Sequence, residues 1–206
     1  MPAAIDRRLI ETFLAVAAID GLSSNERGVA DFIAARLAEL GLSLQEDEAA
    51  EASGGNCGNL VARAGDGGEI VLLAHMDTAR STAGMRPILQ TDRITSDGTT
   101  VLGVDDRAGV AALLYAAERV MALRGSTARF SLAFTICEET TLAGSRHLAI
   151  DPRWRHGFVF DSSQRPGRFI AGSYGCKRSL AVVHGRAAHS GIAPERGIDA
   201  VRVLAA

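Results

Sequence analysis

A chain of 206 residues with 47% hydrophobic and 22% charged positions buries a real core; this excludes a disordered polymer and suits one large domain or one domain plus part of another. A formal charge of −2, from 22 basic and 24 acidic residues, excludes an electrostatic nucleic-acid binder. The three cysteines, Cys57, Cys137 and Cys176, fit neither zinc-ribbon nor disulfide spacing and read as free thiols of a reducing compartment.

At the N-terminus Ile5, Leu9, Ile10, Phe13 and Leu14 recur at helical spacing, broken by Asp6, Arg7, Arg8 and Glu11. That pattern is an amphipathic helix and lacks the unbroken apolar run of a signal peptide. No stretch approaches the roughly 20 apolar residues that span a membrane, so a soluble cytoplasmic protein with no membrane partner is expected. Ser23 and Glu26 are spaced as a capping box for a second helix. Its apolar face is Val29, Phe32, Ile33, Leu37 and Leu40, and its stop is Gly41. Residues 42–48 alternate like a strand, and SGGNCGN (53–59) forms a tight loop. NLVAR (59–63) and EIVLLA (69–74) are apolar runs of strand length, the second rich enough for burial on both faces. Residues 88–104 are turn-rich. A helical pattern then runs from Asp106 to about Leu123, followed by a buried strand at 129–136, a short helix at 142–150 and a strand at 157–160. Strands and helices alternating at these lengths predict an α/β sheet with helices on its faces. From about Gly172 the texture changes. SYGCKRSLAVVHG predicts a strand with polar alternation, and IDAVRVLAA begins a helix with no C-terminal stop, which together read as the opening of a second, smaller domain over 173–206.

In open α/β sheets, sites form beyond the carboxyl ends of strands. Here EIVLLA ends in His75-Met76-Asp77, RFSLAFTI ends through Cys137 in Glu138-Glu139, GFVF ends in Asp161, and Asp105-Asp106 sits where the long helix starts. Each has a bland alternative. His75 alone is a structural histidine, Asp105-Asp106 a helix-start pair, Glu138-Glu139 a solvated pair, and Asp161 a turn residue. Four such ends delivering acids and an imidazole to one edge are better explained by one site. So many carboxylates together are unfavourable without cations, and an N/O donor set without thiolates suits zinc or a related divalent metal.

The segments HMDT, SDGTTVLGVDDRAGVAALL, FTICEET and GRAAHSGIAPERGIDAV resemble, in order, the motifs of the M20 metallopeptidases, in particular the peptidase T-like branch, and GGNCGNLVAR fits the same branch. The resemblance implies a three-layer mixed-sheet zinc-peptidase catalytic domain over 1–172 and the start of an α+β lid and dimerisation domain over 173–206. It implies a zinc-dependent exopeptidase (aminopeptidase, tripeptidase-like) acting on short peptides, with two zinc ions per site and homodimerisation through the lid. By it, His75, Asp105, Glu139 and Asp161 are metal ligands, with Asp105 bridging. Asp77 holds the His75 ring, and Glu138 is the general base. Asp106 matches a family position without being a ligand. Neighbours in an extended chain point apart, which would let Glu139 hold metal while Glu138 takes a proton. His189 reads on its own as an exposed loop histidine; the resemblance makes it the lid histidine that steadies the oxyanion in the partner subunit. His147, in a helix, and His184 and His156, on the preceding strand and in a loop, are read as structural, and Cys137 has no role. Family members are nearly twice this length, and the last zinc-binding histidine follows their lid; none follows His189 here, so a fragment of a longer product with an incomplete second zinc site is expected. Ala79-Arg80 after HMDT and Thr140-Thr141 after Glu139 depart from the common pattern beside the site. The alternatives are an M20 amidohydrolase that deacylates N-acyl amino acids and a catalytically silent metal-binding fragment.

Overall fold

The computed structural model describes residues 7–165, 167–175 and 179–206; Ile5, Asp6 and Cys176 lie outside them. The chain divides into two compact units, residues 1–165 and 166–206. No helix among the described residues is long and apolar enough to cross a membrane.

The first unit opens with α1 (Arg7–Ala17) and α2 (Arg27–Glu39). Val29, Ile33 and Leu37 of α2 are buried, as the apolar spacing predicts. Gly41, at φ 71°, donates to Ala38 O while Leu42 donates to Leu37 O, the paired bonds of a glycine-terminated helix. The expected Ser23–Glu26 capping box does not form: the N-cap is Glu26, with no side-chain cap bond. The Ser23 hydroxyl is taken by a residue distant in sequence. Next come β1 (Ser43–Glu46), an unanticipated short helix α3 (Ala49–Ser53), β2 (Leu60–Ala64), β3 (Ile70–His75), and a hairpin, β4 (Pro87–Leu89) and β5 (Ile94–Ser96), inside the turn-rich region. α4 (Val104–Arg124), β6 (Phe130–Thr135), α5 (Ala143–His147) and β7 (His156–Val159) complete the unit. His156 thus opens a strand, not a loop.

The five-stranded sheet runs β1-β2-β6-β3-β7. β6, β3 and β7 are parallel, while β1 and β2 run antiparallel to their neighbours. The fold is therefore a mixed α/β sheet. All of β6 is buried. Phe130, Leu132 and Phe134 join the core beneath α2 and α4, and Ala133 faces the opposite side with Val61, Val71, Leu148 and Trp154. β3 is not buried on both faces along its length: Ile70 is exposed and Leu72 and Leu73 are half-buried. The cause is its neighbour β7, an edge strand exposed at all four residues.

A buried hydroxyl fastens the second face. Ser131 Oγ donates to Gly67 O at 3.0 Å and accepts the Trp154 indole N–H at 2.9 Å. Ser131→Ala strands that indole donor and is expected to cost about 1–2 kcal/mol, a fall in Tm of roughly 2–8 °C. Calorimetry with the emission of the single tryptophan checks this; an unchanged Tm and spectrum would assign the pair no stabilising role.

In the second unit the strand expected over SYGCKRSLAVVHG does not form among its described residues. Leu180 and Val182 are exposed, His184 lies in exposed coil, and the unit's sole isolated bridge among described residues joins Arg186 to Ile198. Alternation supplies a strand's two faces, but a ladder also needs a partner strand. The predicted helix is present as α6 (Ala200–Ala205), capped by Asp199, which accepts the Val201 and Arg202 N–H groups.

Candidate metal centre

The parallel strands deliver the site. β3 ends at His75, β6 leads through Ile136 and Cys137 to Glu138-Glu139, and β7 leads through Phe160 to Asp161. Asp105 and Asp106 precede the regular part of α4; the peptide bond between them is cis. Gly109, one turn on, sits where a Cβ would lie 2.5 Å from Phe160 O and 2.3 Å from Asp106 Oδ1, so glycine alone lets α4 come this close to the end of β7.

These ends converge. Donor atoms of His75, Glu138 and Asp161 lie within 4.8 Å of one another, as do those of His75, Asp105 and Glu139, and those of Asp105, Asp106 and Asp161. The structure thus brings together every candidate ligand, the candidate base and Asp106. His75 is buried, whereas the Asp105 side chain is 67% exposed, so the cluster opens to the surface. His189 lies in the second unit, in an exposed turn where its Nδ1 accepts the Gly191 N–H.

Glu138 and Glu139 do not stand on extended chain: residues 138–141 form a turn, Cys137 has φ 53°, and Leu142 and Thr141 donate to Cys137 O. From this turn each glutamate approaches His75, Glu138 on the side of Asp161 and Glu139 on the side of Asp105.

The electrostatics are those of an acid-rich pocket. Burial, then the neighbouring Asp161 and Glu139, raises the Glu138 carboxyl above its ordinary range despite His75. Burial and Asp105 likewise raise Asp161. Asp106, which accepts the His75 and Gly109 N–H groups, is pushed up to about 7, chiefly by burial. Burial opposes a charged His75, but Asp77, Asp106 and Asp105 outweigh it and raise the imidazole to about 9. Burial would also raise Asp77, yet His75, Ser23 and the Glu138 and Glu139 amides hold it down at about 2. The carboxylates repel one another and find one imidazole as their nearest cation. His75 Nε2 is 3.0 Å from Asp105 Oδ1; Nδ1 stands 3.3 Å from Asp77 Oδ1 without a well-aligned hydrogen bond. This oxygen-rich donor set with a buried imidazole and no thiolate fits zinc or a similar divalent ion.

Three residues at the site escape sequence reading. Ser23 Oγ donates to Asp77 Oδ2 at 2.6 Å. Glu26, wholly buried, accepts the Cys137 N–H at 2.9 Å. Arg107, also wholly buried, donates to Met76 O, between His75 and Asp77. The sequence signal was thin: Arg107 follows the Asp105-Asp106 pair, but the partners of Ser23 and Glu26 are far along the chain.

The profile of peptidase family M28 matches residues 59–167. Over 97% of this chain and 54% of its own, the crystal structure of a tripeptidase from Staphylococcus aureus subsp. aureus mu50 is similar, with 28% identity and a TM-score of 0.74. The aminopeptidase PepT of Bacillus cereus ATCC 10987 is similar over 96% of this chain and 54% of its own, with 28% identity and a TM-score of 0.71. An acetylornithine deacetylase of Photorhabdus laumondii subsp. laumondii is 27% identical over 96% of this chain and 51% of its own length. The chain spans about half the length of the curated relatives it matches, 54% and 51%.

Proposed function

We propose, from the premise that this chain belongs to peptidase family M28, that it acts as a zinc-dependent exopeptidase on short peptides, with motifs of the M20, peptidase T-like pattern. The observation that carries the reading is the convergence of His75, Asp105, Glu138, Glu139 and Asp161 donors beyond the ends of three parallel strands. Similarity to a tripeptidase and to an aminopeptidase supports peptides as substrates.

His75, Asp105 and Asp161 would hold one zinc, and Asp105 with Glu139 the other; when bound, such ions polarise a carbonyl and make a water acidic. Asp77 orients the His75 ring from its Nδ1 side. Glu138 accepts the proton of the attacking water and returns it to the leaving amine. The residues-1–172 segment is the catalytic domain of this reading and residues 173–206 the opening of a lid through which two copies dimerise. His189 would then steady the oxyanion in the partner subunit.

The second reading, deacylation of N-acyl amino acids by the same metal pair, is favoured by the similarity to acetylornithine deacetylase. A panel of di- and tripeptides and N-acyl amino acids, assayed on the full-length protein, separates the two. Hydrolysis of tripeptides is expected, lost on treatment with a chelator and regained with zinc. Activity on acyl amino acids alone sinks the peptidase reading, and turnover indifferent to chelation sinks both.

A further inference from the structure

The Asp77 carboxylate has more partners than an acid that merely orients a histidine ring needs. Oδ1 stands 3.3 Å from His75 Nδ1 and accepts the Glu138 N–H at 3.0 Å. Oδ2 accepts the Glu139 N–H at 3.1 Å and the Ser23 hydroxyl at 2.6 Å. Three of these partners belong to the donor cluster itself. The fourth comes from the turn ahead of α2, 54 residues earlier.

That turn touches the end of β6 a second time. Glu26 Oε1 accepts the Cys137 N–H at 2.9 Å and the Ser24 N–H at 3.0 Å. The Ser24 hydroxyl and the Cys137 thiol lie 3.4 Å apart. Asn56 N–H donates to Ser24 O at 3.2 Å and holds the turn from behind. Glu26 is fully buried, and its Oε2 has no hydrogen-bond partner. A carboxylate kept in that setting costs desolvation; the Glu26 side chain grips the β6 end, while only its backbone carbonyl serves α2.

The Ser23 bond is the shortest of those that fix the pose of Asp77. The terminal torsion of an aspartate is broad and roughly two-fold, so packing alone leaves it loose. A hydroxyl-to-carboxylate bond of 2.6 Å is at the short, charge-assisted end of the range. With it, one oxygen faces His75 while both oxygens fix the two amides that present Glu138 and Glu139. Without it, Oδ2 keeps only the Glu139 amide.

We infer that Ser23 is a positioning residue of this site: through Asp77 it sets the His75 ring and the Glu138–Glu139 turn in one geometry. The inference rests on the peptidase reading for its reaction, but its geometric core does not. Ser23→Ala removes the hydroxyl and Ser23→Thr keeps it. In the full-length protein, hydrogen exchange of the metal-free form reads the geometry directly. Ser23→Ala is expected to speed exchange across residues 137–140 about tenfold while residues 130–135 of β6 exchange as before; zinc affinity, from competition with a chelator, is expected to fall about tenfold too. On a tripeptide, kcat is expected to fall about tenfold with KM within about twofold, and Ser23→Thr to restore all of these to within about threefold. Unchanged exchange at 137–140 in Ser23→Ala overturns the inference whatever the activity, as does exchange raised equally throughout β6, which would mark a merely structural residue. Failure of Ser23→Thr to restore also overturns it. If the wild type hydrolyses no peptide, the peptidase reading falls, while the exchange and zinc measurements still decide Ser23.

Discussion

Replacing Glu138 by glutamine is expected to lower kcat by about 10²–10⁴-fold, roughly 3–5 kcal/mol of barrier, with zinc content unchanged. Glutamine is close in volume and keeps a hydrogen-bonding oxygen, but it cannot accept a proton from water at neutral pH. The prediction is sharp because the geometry offers Glu138 two employments. Its carboxylate lies within 4.8 Å of the His75 and Asp161 donors, as a ligand's would, and Glu139 lies similarly near His75 and Asp105. The division of labour therefore rests on the variants. Glu138→Gln should keep its metal and lose turnover; Glu139→Gln should lose metal and turnover together. Metal analysis alongside steady-state kinetics on a tripeptide separates them. Loss of zinc from Glu138→Gln would make Glu138 a ligand, and more than about a tenth of wild-type kcat would remove it from proton transfer altogether.

The parts of the molecule that were legible in sequence are those whose signal is local. β6 and β3 are short apolar runs, each ended by residues that have no place in a core. α4 declares itself by apolar spacing after Asp106, and Gly41 by the left-handed turn it alone takes readily. Because β3, β6 and β7 are parallel, their carboxyl ends meet at one edge, so reading the ends was enough to assemble the donor cluster. Failures came where the partner is distant. Ser23 and Glu26 have the spacing of a capping box, and local rules assign them to α2; the sheet instead brings Asp77 and Cys137 to them. The alternation around Leu180 and Val182 looks like a strand, but a strand exists only against a neighbour. The turn at residues 138–141 was missed because apolar periodicity locates a strand and does not say how the chain leaves it.

Arg107 carries the other large effect. Substitution by methionine is expected to lower unfolding free energy by about 2 kcal/mol, a fall in Tm of roughly 4–8 °C. The guanidinium is wholly buried and donates to Met76 O, to Gly21 O at 3.4 Å and toward Ile19 O at 3.5 Å, with Nε unpartnered. It ties the loop before α2 to the chain between His75 and Asp77. Gly21 makes room for it, since a Cβ there would lie 2.7 Å from Arg107 Nη2. Burial lowers the arginine to about 10, against the pull of Asp77, Asp20, Glu26 and Asp106. Two effects of methionine then oppose each other. Removing a buried cation saves its desolvation, and whole buried ion pairs are often replaced by apolar groups without loss. Here only one side is removed. The Met76 carbonyl is left without its donor, at about 1–3 kcal/mol where water cannot reach, while Gly21 O keeps the Thr78 N–H at 3.0 Å; Asp77, Asp20, Glu26 and Asp106 also lose the attraction of the guanidinium. The balance favours destabilisation, with zinc affinity falling alongside because Met76 is the link between His75 and Asp77. Arg107→Lys should recover only part of both losses, since an ammonium is a point donor and cannot fork to separate carbonyls. Calorimetry and chelator competition on the arginine, lysine and methionine forms test this ranking; a methionine form as stable as the wild type would mean that desolvation of the guanidinium outweighs its hydrogen bonds.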